Sequence, residues 1–497
     1  MDSLSPKYLL KIFENFTTGN YDHKTLHNCI FVNKQWSSLA ISILWRNPLE
    51  IINNGYNGYN NKISIILIIK TYITCLPKES KDSFIKNGFQ LSEEILRQAS
   101  HDYPSHLQII NYQNFHLAIP FWIKENYHQK ESNERIFCYY QLFDHIFKML
   151  MNKCRKIYRI DLYDLQGSTK IIHFPLLPDS EKCLSNITEF YYKGKKHSDL
   201  MYILSQKCTQ IKSFQLEDLD GSSTNNGLVQ LFERQKVPLE SLSVNTKNRI
   251  PLSIEDIIKK KENIDSIDKL KLSGCSRIFM VNCKNLKELD IDLNSDVRMG
   301  DSSWFPKLEK LRVTISYNNL NIVSDILKDH QNKIKYLHFR KNTHRIYNPQ
   351  RYKEFSKFSE NLIEYCPNLV VYEGPFFGFK IRKNLLLKFF RTCSNLEKLR
   401  FINFISDKTY KFDDILKSLS DDIPKKLNTL CLDSYWEFNA ETLDVFLSGC
   451  KKRLTNKLKL EIPLERKSHG INLVLDKYVR KNVLFKEHII VSTEKDV

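Results

Sequence analysis

At 497 residues, with 42% apolar and 27% charged side chains, the chain has the composition of a globular protein large enough for more than one core, which excludes a disordered or fibrous class. Its 75 basic and 57 acidic residues leave a net charge of +18, but the cations are scattered among the acidic residues, so solvated faces account for most of them and a nucleic-acid partner is disfavoured. Among only 14 glycines there is no G-x-G-x-x-G, G-x-x-x-x-G-K-[ST] or G-x-S-x-G, so the usual phosphate cradles and nucleophile elbow are missing. The expectation is a chain without catalytic residues, cofactor or metal.

The N-terminus carries Asp2 and no basic stretch ahead of an apolar one, which argues against a secretory signal. The most apolar run, ISIILIIKTYITCL at 63–76, is broken by Lys70 and falls short of the roughly 20 residues needed to cross a bilayer. The chain is therefore expected to be soluble and intracellular, in cytoplasm, nucleus or both, with no membrane partner.

The first element, LSPKYLLKIFENF at 4–16, reads as a helix with Ser5 as cap, Pro6 at the first helical position and Leu4 and Leu9 as a hydrophobic staple. Leu9, Ile12, Phe13 and Phe16 follow at helical spacing on one face until TTGN ends it. A second helix starts after Asp22 with Leu26, Cys29 and Ile30 inward, and a third carries Trp36, Leu39, Ala40, Ile43 and Leu44. Three short helices cannot hide this much apolar surface among themselves, so the excess, including Leu4, Leu10 and Val32, predicts a partner or a neighbouring domain. His23 and His27 are one helical turn apart, but Lys24 stands where a metalloprotease helix needs its glutamate, and no third ligand is near.

LSPKYLLKIFENF, LHNCIFVNKQW and LAISILWRNP together resemble an F-box, the short helical module that docks on the Skp adaptor of a cullin-based ubiquitin ligase. The resemblance covers residues 4–48. Here Ser5 stands between the leucine and proline that the family usually keeps adjacent. It implies that Leu4, Pro6, Leu9, Leu10, Ile12, Phe13, Val32, Trp36 and Leu39 contact the adaptor. Read from the residues alone, the same segment also fits a helical subdomain packed on the rest of the chain.

Residues 53–62, NNGYNGYNNK, are polar and low in complexity and read as a flexible stretch. From 63 to about 150 the pattern is mainly helical, with Ser80 as a cap and Gly88 as a stop. Beyond 151 an apolar template of the form Φ-x-x-Φ-x-Φ recurs. It begins at Ile157, Ile187, Ile211, Leu239, Ile267, Leu286, Leu308, Ile334, Leu396 and Leu427, and imperfectly at Leu369. Several intervening segments have helical spacing, as in Leu386, Phe389, Phe390 and Cys393. A strand and a helix per repeat is the plan of an α/β solenoid.

Twelve cysteines occur without a single C-x-x-C, and Cys154, Cys208, Cys283, Cys366 and Cys393 each lie three residues before a repeat's first apolar position. They are expected as small buried side chains at helix-to-strand corners. NCKNLKELDID, CPNLVVY and CSNLEKLRF resemble the cysteine-containing leucine-rich repeats found behind F-boxes. The two resemblances imply an α/β fold, with a three-helix F-box (1–48), a mainly helical linker region (49–150), an irregular leucine-rich-repeat horseshoe (151–460) and a C-terminal cap or tail (461–497).

In a strand, residues between the apolar positions face away from the core. Between the second and third apolar positions stand Asp161, Tyr191, Gln215, Ser243, Lys271, Asp290, Arg312, His338, Glu373, Arg400 and Cys431. Flanking outward positions add Lys310, Tyr336, Lys398 and Arg340, so Lys310, Arg312, Tyr336, His338, Arg340, Lys398 and Arg400 form an expected basic patch on the later repeats. Such a patch would take an acidic or phosphorylated protein segment. The functional expectation is a substrate-recognition subunit of a Skp-cullin-F-box ubiquitin ligase. The alternatives are a repeat scaffold whose N-terminal helices cap the solenoid and a basic nucleic-acid-associated protein.

Overall fold

The computed structural model describes residues 5–16, 22–52, 59–127, 131–163, 174–194, 198–219, 226–246, 265–273, 283–293, 305–315, 320–341, 352–376, 383–402, 410–432, 436–462 and 468–485. These residues form two compact units, one ending at Leu239 and one starting at Glu240.

The first unit opens with three short helices, α1 (Pro6–Asn15), α2 (His23–Cys29) and α3 (Lys34–Leu44). Pro6 opens α1 as expected, but Ser5 makes no side-chain cap. The other two starts are capped: Asp22 accepts from the Thr25 amide at 3.0 Å and Asn33 from the Trp36 amide at 2.9 Å. Phe13, Leu26, Cys29, Ala40 and Ile43 meet in a buried cluster, with Leu10, Phe16, Ile30, Trp36, Leu39 and Leu44 packed around it. The Trp36 ring meets Phe13 edge-on at 5.2 Å.

Helices α4 (Tyr59–Thr74), α5 (Lys78–Lys86), α6 (Glu93–Leu96), α7 (Tyr112–Asn126) and α8 (Ser132–Lys153) follow. Residues 59–62 of the polar stretch expected to be flexible are the first turn of α4, and 53–58 lie outside the described residues. Helix α5 starts after Pro77 instead of at Ser80, and Gly88 ends it in a left-handed conformation with φ of 82°. The buried Lys81 ammonium caps the end of α4, donating to the Thr74 carbonyl at 2.7 Å and to the Arg97 carbonyl at 3.2 Å. Aromatic side chains fill the core here: Phe143 stacks on Phe147 at 4.3 Å, and Phe115 meets Phe147 at 5.1 Å.

Strands β1 (Ile109–Asn111), β2 (Arg159–Tyr163), β3 (Glu189–Lys193) and β4 (Ser213–Glu217) lie parallel in chain order, with α9 (Ser180–Leu184), α10 (Ser198–Lys207) and α11 (Asn226–Glu233) between or after them. The first strand precedes residue 151, where the repeats were expected to begin. Leu107, Ile110 and Tyr112 satisfy the apolar template and are buried.

The second unit continues the plan with parallel strands β5 (Ser241–Asn245), β6 (Lys269–Ser273), β7 (Glu288–Asp292), β8 (Lys310–Ile315), β9 (Tyr336–Lys341), β10 (Val371–Gly374) and β11 (Lys398–Phe401). A short parallel pair, β12 (Tyr410–Lys411) and β14 (Trp436–Glu437), stands apart from this ladder, which itself runs on through β13 (Thr429–Cys431) and β15 (Lys459–Glu461). The described helices are α12 (Leu320–Asp329), α13 (Tyr352–Tyr365), α14 (Lys383–Thr392), α15 (Asp413–Leu419), α16 (Ala440–Arg453) and α17 (His469–Arg480). Parallel neighbours in chain order, with a helix returning between many of them, make a mixed α/β solenoid. After α17 the chain returns to the ladder, where Leu484 bridges Leu458.

Every position predicted to open a repeat is buried, from Ile157 to Leu427 and including Leu369. So are the corner cysteines, and the eleven cysteines among the described residues are all buried and outside any disulfide. Burial pushes the Cys283 and Cys393 thiols up to about 12, which keeps them protonated and inert. Cys154 and Cys393 donate to the carbonyls of Pro104 and Cys366.

A repeated backbone device links the strands. For most strands of the ladder the carbonyl one residue before the strand accepts two amides of the next repeat. Tyr158 accepts from Thr188 and Glu189 at 2.8 and 2.9 Å, and Val370 from Glu397 and Lys398 at 2.8 and 3.1 Å. At the head of the ladder Gln108 accepts from Tyr158 and Arg159 at 3.0 and 3.4 Å. The Gln108 and Ile109 amides in turn reach the Arg46 carbonyl at 3.0 and 3.2 Å. Arg46, two residues past α3, thus stands where a preceding repeat would.

Candidate functional site

Two surfaces carry the sequence's expectations. On the three-helix module Leu9 and Phe13, expected against the adaptor, are buried in the core, where their removal from water holds the helices together. Leu10, Trp36 and Leu39 are half-buried around the same cluster, Pro6 is exposed, and Leu4 lies outside the described residues. Among the described residues of the module the large apolar side chains open to solvent are Tyr8 (62% exposed), Ile12 (43%), Phe31 (75%) and Val32 (56%). Tyr8 and Ile12 are one turn apart on α1, and Phe31 and Val32 lie in the turn between α2 and α3. Tyr8 and Phe31 were missed; the i, i+4 spacing of Tyr8 to Ile12 is the signal that finds the first.

The module is held from its C-terminal side. Trp45 packs between Tyr72 and Tyr103 at 5.2 and 4.6 Å. Asn114, buried on α7, donates to the Leu49 carbonyl at 2.9 Å. The Arg46 guanidinium reaches Glu14 on α1 at 3.1 Å.

The second surface is the strand face whose side chains alternate with the buried ones. In the second unit its register is unbroken. One row runs Lys269, Glu288, Lys310, Tyr336, Val371, Lys398, Thr429 and Lys459. The next runs Lys271, Asp290, Arg312, His338, Glu373, Arg400, Cys431 and Glu461. All seven residues of the expected basic patch are on this face.

They are not a patch of free charge. Glu288 takes both Lys310 and Arg312, at 3.0 and 2.7 Å. Asp290, nearly buried, holds Arg340 bidentately at 3.1 and 3.0 Å. Glu373 lies between His338 at 3.3 Å and Lys398 at 2.5 Å. Glu461 takes Arg400 at 3.2 Å and Lys459 at 2.8 Å. Burial alone would raise the Glu373 carboxyl, but hydrogen bonds from His338 and Lys398 outweigh it and hold it at about 2. In a parallel ladder the nearest neighbours are side chains some tens of residues away in sequence, and here they alternate in sign.

The equivalent face of the first unit is aromatic and acidic. Asp161, Tyr191 and Gln215 are in register on β2, β3 and β4, and Tyr163 meets Tyr191 at 5.0 Å. Burial raises the Asp161 carboxyl despite the Arg159 guanidinium 2.6 Å away. Among the described residues no group of three or more histidine, cysteine or acidic side chains could hold a metal ion. Nor is any described helix long and apolar enough to cross a membrane.

No family model matches the sequence, and no curated protein does. Solved structures similar to it include Toll of Drosophila, from its complex with Spatzle, at 14% identity and a TM-score of 0.36, over 67% of this chain and 42% of that one. Another is the leucine-rich repeat-containing protein LegL7 of Legionella pneumophila, at 13% identity and a TM-score of 0.29, over 67% of this chain and 94% of that one.

Proposed function

We propose that the chain is a non-catalytic substrate-recognition subunit of a Skp-cullin-F-box ubiquitin ligase. Its three-helix module docks on the Skp adaptor and its strand face receives a target protein. The observation that carries this reading is the exposure of Tyr8, Ile12, Phe31 and Val32 on a module whose own core is already filled. Apolar side chains concentrated on one small module are the mark of an interaction surface. The parallel solenoid supplies the broad ordered face that such receptors need, and ubiquitin transfer itself belongs to other subunits. The role of this chain is to position its target.

The Arg46 carbonyl favours a second reading, in which the module caps a protein-binding scaffold. The two readings differ at α1 and the α2–α3 turn, because a pure cap has no use for apolar residues there. The test is capture of a purified Skp adaptor by the full chain and by an Ile12→Asp, Val32→Asp double variant. Both positions are exposed, so the fold should survive; Leu9→Asp would instead break the core. The receptor reading expects capture by the wild type and at least a tenfold loss in the variant, as roughly 1.4 kcal/mol of lost apolar contact gives. Failure of the folded wild type to capture the adaptor leaves the scaffold reading in place.

A further inference from the structure

The pairing of charges on the second unit's strand face stops at β6. Lys269 and Lys271 stand beside Glu288 and Asp290 in register, yet Glu288 is occupied by Lys310 and Arg312, and both Asp290 oxygens by Arg340. Among the described residues neither lysine makes an ion pair or a side-chain hydrogen bond. The same holds for the hydroxyls of Ser241 and Ser243, which are their register partners on β5. Every other lysine or arginine in the two charged rows is matched within the face.

We propose that Lys269, Lys271, Ser241 and Ser243 form an anion-recognition site for an extended acidic or phosphorylated segment of a partner protein. This rests on the reading of the strand face as the target surface and moves the contact from the later repeats to β5 and β6. Both residue types donate: the ammonium groups supply charge and the hydroxyls supply hydrogen bonds without bulk. Lys269 and Lys271 alternate on one strand, so they are about 6.7 Å apart, the spacing of alternate side chains in an extended peptide. The serines lie one strand away, about 4.8 Å, close enough to share the same carboxylate or phosphate oxygens. Arg312, Arg340 and Arg400 would have to give up internal carboxylates to bind the same ligand, which costs what the new pair supplies.

The experiment uses the full chain and two short fluorescein-labelled peptides, one with glutamate and one with phosphoserine at alternate positions, read by fluorescence anisotropy. A neutral glutamine peptide and a single-stranded oligonucleotide of equal charge serve as competitors. Wild type should bind an anionic peptide. The Lys269→Ala, Lys271→Ala variant should bind about tenfold more weakly, the loss of two exposed ion pairs. Arg312→Ala, Arg400→Ala should bind as wild type, and a thermal melt checks that each variant is folded. Equal binding by wild type and the lysine variant, no binding to either peptide, or a larger loss in the arginine variant each overturns the site. An oligonucleotide that competes better than the peptides overturns the choice of partner. Adaptor capture, measured on the same preparations, does not involve these lysines, so failure of the ligase reading is seen separately from failure of the site.

Discussion

Glu373 shows what a single side chain can decide on this face. It is mostly removed from water, and the energy of ionising it there is recovered only through His338 and Lys398. Its folded value of about 2 lies below the ordinary 4.5 for a glutamate, so it stabilises the fold at pH values above about 4.5. That contribution is lost as pH falls from about 4.5 towards 2, when the unfolded chain takes up the proton first. Glu373→Gln removes the linkage. Chemical denaturation at pH 7 should find the variant less stable by about 2 kcal/mol, and at pH 3 the gap should shrink to less than half. A gap that is unchanged between the two pH values would show that Glu373 matters only through packing. His338 and Lys398 would then be spectators.

At the scale of elements, the repeated carbonyl acceptor explains how the three-helix module is tied to the first strand of the ladder. A strand that starts a parallel ladder has unpaired amides on its outer side, and leaving them buried without partners costs about 1–3 kcal/mol each. The Arg46 carbonyl takes the Gln108 and Ile109 amides, and Trp45 and Leu49 close the same region. Deleting residues 1–52 should therefore do more than remove the proposed adaptor-binding surface. Hydrogen exchange at β1 and β2 should rise by at least tenfold, while β8 to β11 stay protected. Unchanged protection at β1 would identify the module as a free tether. Much of this element level was legible in sequence, because the apolar template and the corner cysteines are local patterns that burial enforces at every repeat. The repeat at Leu107 was missed because Tyr112 serves as its third apolar residue and a helix begins there at once. The attachment of Arg46 to Ile109 was not legible, since a backbone carbonyl leaves no trace in residue type. The ion-pair partners Glu288 and Glu461 lay in plain view, but their use depends on a register that only the packed ladder fixes.

At the scale of the whole molecule the question is which of its surfaces senses salt. The net charge of +18 gives the chain an attraction to any polyanion, and that attraction is screened beyond about 8 Å at physiological ionic strength. The internal pairs on the strand face keep most of its cations from contributing. On the proposed adaptor surface the exposed side chains are Tyr8, Ile12, Phe31 and Val32, whose burial against a partner would depend on water release and not on ions. Retention on an immobilised polyanion should accordingly fall steeply between about 0.1 and 0.5 M sodium chloride, with each displaced phosphate contact contributing a slope of about 0.9 in log–log form. Capture of the Skp adaptor should change by less than threefold over the same range, as expected when apolar contact dominates. If adaptor capture instead falls in parallel with polyanion retention, the module is acting as one more cationic surface. The exposed apolar residues of α1 and the α2–α3 turn would then need a different occupant, and the receptor reading would lose the observation it stands on.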